Sequence, residues 1–395
     1  MSEVHAVSAP KSFSWTSQLK NLWIALVVVG VVSFIAALKV NPERAWANFL
    51  IGYFYWMCIA MGGVFFAALQ HLTGSYWSVT VRRISESFAA YLPYAFVLFF
   101  VLLFGVHHLY EWTHHEEVMN DSILKLKVGY LNVPFFVIRQ IALYAAVFIL
   151  GGWMIKNSLR QDKSGDAQLT LLNVKLSAPF MLLFGWLFTF ASFDLLMSLS
   201  PHWYSTIFGV YCWSGLFYSV LAMITLWVVC LNRKGYFNGY VTKEHYHDLG
   251  KLMFAFLVFW GYIAFSQFML IWYANIPEET TYYLVRAKEG WKCLSIALIV
   301  FKFAIPFFVL ISRPAKRNEK ILITMCVWFL AAQWLDLYWM VFPRFFEHPV
   351  FGWMEVGIFA GFAGLFLLSV GNFLSKNSLV ALKDPRIEQA LHHHQ

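Results

Sequence analysis

The chain has 395 residues, of which 60% are hydrophobic, 19% aromatic and only 13% charged. Soluble globular domains carry about a quarter charged residues, so composition excludes them and indicates a polytopic membrane protein. The formal charge of +8 does not indicate a nucleic-acid binder, because the basic residues cluster in short loops between apolar runs, where membrane topology accounts for them.

A membrane span needs ~20 predominantly apolar residues. Ten runs qualify: Leu22–Leu38, Trp46–Leu69, Phe88–Leu109, Val133–Ile155, Leu176–Met197, Ile207–Leu231, Leu252–Tyr273, Trp291–Ile311, Ile321–Phe342 and Trp353–Phe373. They predict an all-α bundle, since a transmembrane barrel would read as short alternating strands. The first run follows a polar segment with no small-residue cleavage site and is expected to be an uncleaved helix. Lys and Arg concentrate in the N-terminal segment, the even-numbered loops (Arg82, Arg83, Lys156, Arg160, Arg233, Lys234, Arg313, Arg317) and the C-terminal tail. By the positive-inside rule both termini are expected in the cytoplasm.

The second to fifth runs repeat in the sixth to ninth. "IGYFYW" (Ile51–Trp56) matches "FGVYCW" (Phe208–Trp213), and "YAFVLF" (Tyr94–Phe99) matches "FAFLVF" (Phe254–Phe259). The latter offset aligns Trp112 with Trp272 and His107 with Gln267. Trp186, Asp194 and Pro201 recur with the same spacing as Trp328, Asp336 and Pro343. Two four-helix bundles of like orientation are expected. The organisation reads as residues 1–45 (N-terminal segment and first helix), 46–200 and 201–345 (the two bundles), and 346–395 (tenth helix and tail).

Ionisable residues inside a membrane are costly and usually pair, often on a pathway. The candidates are Arg139, Asp194, Lys302 and Asp336, with His107, His108 and Glu355 nearer the extracytoplasmic surface. Arg139 and Asp194 lie at similar depth and are expected to pair. Lys302 lies deeper and must reach outward to Asp336, which Gln333 joins on the same helical face. Each pair reads equally as a structural lock or as part of a proton or quinol site.

The loop "HHLYEWTHHEEVMND" (His107–Asp121) lacks clean metal-ligand spacing and is expected to be a wet, acidic loop facing a partner. His245 and His247 read as solvated loop residues, and the terminal "HHHQ" as a tail. The five cysteines, Cys58, Cys212, Cys230, Cys293 and Cys326, form no C-x-x-C pair and read as packing residues. No histidine falls at mid-span, so no haem is expected in this chain. In "SFDLLMSLSPHWYSTIFGVY" (Ser192–Tyr211) the connection after Asp194 carries no Lys, Arg, Asp or Glu, which suggests that it packs beneath a partner.

That stretch, together with "HDLGKLMFAFLVFWGYIAFSQFMLIWYANIPEE" (His247–Glu279) and "PRFFEHPVFGW" (Pro343–Trp353), resembles the NrfD-like, or PsrC-like, quinol-interacting membrane subunits. The likeness is greatest to the second such subunit, ActF-type, of bacterial alternative complex III, and covers nearly the whole chain. The resemblance implies a subunit without redox cofactors of its own, in an inner-membrane menaquinol:cytochrome c or oxidase oxidoreductase. Implied partners are a homologous NrfD-like subunit, an iron–sulfur subunit, multihaem and monohaem cytochromes c, small membrane anchors and a terminal oxidase, with menaquinone and lipids as ligands. It also implies proton half-channels of intramembrane charged residues, which map here to Asp194, Asp336, Arg139, Lys302 and His107. Three other readings are a quinol site of its own, an independent transporter and a scaffold. In the first of these His107, Asp194 and His202 accept protons while Trp203 and Tyr204 pack the ring.

Overall fold

The computed structural model describes residues 10–393. All regular elements among them are helical, and ten helices are long and apolar enough to cross a membrane: Ser17–Val40, Pro42–Leu72, Val79–Leu109, Val133–Ser164, Gln168–Leu199, Phe208–Arg233, Lys243–Ala274, Glu289–Leu310, Glu319–Arg344 and Trp353–Lys376. The chain is an all-α polytopic membrane protein. With ten crossings among the described residues, the segments before the first and after the tenth span lie on one side, called here the terminal face.

The second and sixth spans, which carry the matched hexapeptides, form the centre. Their most apolar windows are 100% and 83% buried, against 17% for the first span and 22% for the eighth. Local sequence starts the second helix sharply. Asn41 accepts a hydrogen bond from the Arg44 amide at 3.0 Å, and Pro42 follows it where no amide hydrogen is needed. The two central helices pack directly. Phe65 meets the rings of Trp213 and Phe217 at 5.5 and 5.3 Å, and Tyr55 donates to the Leu330 carbonyl at 2.9 Å. The two repeats therefore share one core.

The first and tenth spans pair outside this core through small residues. A Cβ on Gly30 would lie 2.2 Å from the Gly361 Cα, and one on Gly357 2.2 Å from the Ser33 hydroxyl. Absent side chains at these positions let the backbones touch, as between membrane helices generally.

Two features depart from the hydropathy reading. Both the fourth and eighth spans contain a π-helical segment, Val147–Gly151 and Val300–Ala304. These spans are counterparts in the repeat, so the irregularity is duplicated with the fold. Such bulges frequently accompany functional sites. The third, fourth and fifth helices also run eight or more residues further toward the terminal face than their apolar stretches. Arg82 and Arg83, read as loop residues, are fully buried in the third helix. Hydropathy stops at a charge, whereas a helix continues if its charges find partners.

The terminal face is more ordered than its sequence suggests. Residues 377–393 fold back across it. Asp384 accepts from Arg82 at 2.8 Å, and Lys383 donates to the Lys163 carbonyl at 2.7 Å. His393 of the supposed tail pairs with Asp248 at 2.6 Å; His394 and Gln395 lie outside the described residues. His245 and His247, expected in solvent, are buried. They fall in the first turns of the seventh helix, where His245 completes a capping box with Thr242 beneath the folded-back tail.

Candidate functional site

Two carboxylates sit at the same place in the two bundles, each on the last turns of a helix ahead of a proline. Asp194 is fully buried. It accepts from Arg139 Nε and Nη2, both at 2.8 Å, and from Gln140 Nε2 at 3.3 Å. Arg139 has a second set of partners. Its Nη1 donates to the Tyr130 carbonyl at 3.1 Å, and its guanidinium lies 3.9 and 4.2 Å from the centres of the Tyr130 and Phe135 rings.

Asp336 is held differently. Lys302, inside the π segment, donates at 2.5 Å to both Asp336 and Gln333, so the reach inferred from sequence is made. Tyr211 donates to the other carboxylate oxygen at 2.5 Å. The ammonium lies 4.2 Å from the Trp260 ring centre, and Phe329 stacks on Tyr218 at 4.2 Å beneath it. An aromatic cage thus encloses the second pair.

A third buried pair lies between the bundles and the tenth span. Arg44 bonds both oxygens of Glu355 at 2.8 and 2.6 Å, and Asn48 adds a bond at 2.9 Å. The sequence reading placed Glu355 near the extracytoplasmic surface and gave it no partner.

The first bundle continues its polar character away from Asp194. Along one face of the fourth span lie Gln140, Tyr144, Asn157, Ser158 and Gln161, all buried. Gln140 and Tyr144 are four apart, Asn157 and Gln161 are four apart, and Ser158 is three before Gln161, so each set keeps to one face by the helical repeat, with the π segment between the two sets. Tyr144 bonds Tyr53 hydroxyl to hydroxyl at 3.0 Å. Beyond the π segment Asn157 donates to Asn173 at 2.9 Å, and the Asn173 amide faces His71 Nε2 at 3.4 Å. Ser158 donates to Glu86 at 2.9 Å, which also meets Arg82 and Arg83, both at 3.2 Å. Arg83 bonds Asp162 at 2.6 Å. The ladder is interrupted: between Tyr144 and Asn157 the buried side of the span is apolar, formed by Val147, Gly151, Met154 and Ile155, and Gly151 packs on Val64 and Phe180. The spacing Arg82–Glu86 is the i, i+4 signal that could have revealed the lower rungs.

Burial alone would raise the Asp384 carboxyl that closes this end. Arg82 and Arg386 outweigh it and hold the group well below the usual carboxylate range.

The remaining sequence candidates are not brought to either carboxylate. His107 is exposed and contacts Thr113 and His114 in its own loop. His202, Trp203 and Tyr204 diverge. His202 is exposed and pairs with Asp121 at 2.6 Å, Tyr204 is 55% exposed, and Trp203 is buried, stacked 4.0 Å from Tyr282. Only Trp203 of the three lines the adjoining cleft of about 540 Å³, together with Tyr282, Arg286 and Trp291. The charge-free loop is pinned by the chain itself, through Asp121 and through Lys127, which donates to the Pro201 carbonyl at 2.5 Å, and leaves His202 and Tyr204 exposed. Amides of the following helix and His202 hold the Asp121 carboxyl below its ordinary value.

Arg286 was missed altogether. It is buried 3.4 Å from the centre of the Tyr282 ring and caps the ninth helix through the Trp339 and Met340 carbonyls at 3.1 and 2.7 Å. Among the described residues no cluster of three His, Cys, Asp or Glu side chains could hold a metal ion. No family model and no curated protein matches this chain.

Proposed function

We propose that the chain is an integral subunit of a bacterial inner-membrane complex of the alternative complex III type, which oxidises menaquinol and reduces cytochrome c or an oxidase. Its contribution is proton conduction through the first four-helix bundle. The terminal face is cytoplasmic in this reading. Electrons pass through iron–sulfur and cytochrome c partners, because this sequence offers no redox ligand set.

The observation that carries the reading is the polar face of the fourth span. It carries buried polar groups at both ends, Gln140 and Tyr144 beside the Asp194 pair and Asn157, Ser158 and Gln161 toward the terminal face. His71 Nδ1, Tyr91 Oη and Gln140 Oε1 are buried without a protein partner, and such atoms bind internal water. Arg139 supplies the moving part. It holds Asp194 with one side of its guanidinium while the Tyr130 carbonyl and two rings offer it another seat. A buried carboxylate deprived of its counter-charge takes up a proton; return of the arginine releases it. The apolar stretch between Tyr144 and Asn157 separates the two halves of the path, and internal water has to bridge it.

A quinol site built on His202 is the weaker reading, because His202 and Tyr204 face outward while Trp203 faces inward. The test has two steps. Purification from native membranes should yield iron–sulfur and c-type haem partners, and Asp194→Asn in that complex should lower protons moved per electron while quinol oxidation continues. A chain that purifies alone, or unchanged coupling in the variant, contradicts the proposal.

A further inference from the structure

The other side of the fourth span carries a groove of about 470 Å³, lined by Phe148, Ile149, Gly152, Trp153, Lys156 and Arg160. These residues recur every three or four positions and so form one stripe, opposite the polar ladder. Chemistry changes along it. Phe148 and Ile149 are exposed apolar side chains of the π segment, and Trp153 is 46% exposed. Gly152 has nothing within 4 Å of where its Cβ would be, so the groove is open there. Lys156 and Arg160 follow one turn apart toward the terminal face. Neither has a side-chain partner among the described residues, unlike Arg82 and Arg83 on the neighbouring helix.

We infer that this groove binds one anionic glycerophospholipid from the leaflet on the terminal side. The phosphate sits between the Lys156 ammonium and the Arg160 guanidinium, and an acyl chain runs over Gly152 to Phe148 and Ile149. The dimensions agree. Twelve residues separate the ends of the stripe, about 18 Å at 1.5 Å per residue, close to half of a ~30 Å hydrocarbon core plus a headgroup. Two unpaired cations beside an interfacial tryptophan favour a net-negative headgroup over a zwitterionic one.

The test is native mass spectrometry of the delipidated full-length chain in detergent. Samples are titrated with phosphatidylglycerol, phosphatidylcholine or inorganic phosphate. One phosphatidylglycerol should be retained per chain, with ~10-fold or greater preference over phosphatidylcholine. Lys156→Gln with Arg160→Gln should abolish that preference, and Lys156→Arg with Arg160→Lys should keep it. Gly152→Phe, which enters open space and leaves both cations, should lower retention by filling the groove. Equal retention of the two lipids overturns the inference, as does unchanged retention in the glutamine variant. Displacement of the lipid by millimolar inorganic phosphate, or a copurifying protein that shields Trp153 and excludes lipid, overturns it too.

Discussion

The two bundles start from the same plan and finish it differently. Each sets a carboxylate near the end of its fourth helix, and each bends its third helix with a π segment. In the first bundle the counter-ion is an arginine that also bonds the Tyr130 carbonyl, and a second set of buried polar side chains lies toward the terminal face beyond an apolar stretch. In the second the counter-ion is a lysine caged by Trp260 and Tyr218. The core below it is apolar, with Leu322, Met325, Cys326 and Phe329 buried and the Thr225 hydroxyl turned to the Leu221 carbonyl, until Asn232, Tyr246 and Glu319 meet at the terminal-face end. In the function proposed above, the duplicated charge is a lock in the second bundle, where its surroundings are closed, and a relay in the first.

That difference can be pushed from both sides. The largest effect is expected from Lys302→Met, which strands Asp336 in the cage. Losing one partner of a buried pair costs about 3–5 kcal/mol, read as a fall in thermal unfolding temperature and yield. Adding Asp336→Leu should recover most of the loss and leave proton coupling intact. The same double replacement at Arg139 and Asp194 should recover folding but not coupling; restored coupling there would erase the distinction between the bundles.

A smaller effect is expected at Asn173, which bonds Asn157, the Met154 carbonyl and His71. Asn173→Leu leaves buried groups unpartnered at about 1–3 kcal/mol and should at least halve protons moved per electron. Cys326→Ala, deep in the second bundle, should leave that ratio unchanged. Tyr144→Phe removes one hydrogen bond to Tyr53, worth about 0.5–1.5 kcal/mol. It should slow proton delivery in stopped-flow measurements without altering electron transfer.

The smallest effect concerns the strap over the first bundle. The folded-state pKa of Asp384 lies below its unfolded value of ~3.9. Its stabilising contribution is therefore present above that value and is lost as pH falls below it. Limited proteolysis of residues 377–391 should accelerate below about pH 4. In Asp384→Asn it should already be fast at neutral pH.

Much of this was legible in sequence. Asp194 and Asp336 announced the repeat through their Trp and Pro landmarks; Arg139 followed from its matching depth, and Lys302 only as a deeper residue that had to reach outward. The π segments were not legible, because a single inserted residue leaves no compositional mark. Arg82, Arg83 and Glu86 were hidden by their own charge, which ends a hydropathy run even where a folded-back tail neutralises it. His202, Trp203 and Tyr204 are adjacent in sequence but sit in a turn that sends them to different sides, so adjacency misled. The charge-free loop was read as packing beneath a partner; contacts to Asp121 and Lys127 of the same chain, which its lack of charge did not foretell, pin part of it.

The most direct measurement is the proton-to-electron ratio of the purified complex in sealed liposomes, compared between Asp194→Asn and Asp336→Asn. Both substitutions keep side-chain size and remove one charge. The account predicts a ratio at least halved by Asp194→Asn and unaltered by Asp336→Asn, with quinol oxidation continuing in both. Equal effects of the two substitutions, or a loss confined to Asp336→Asn, would contradict it.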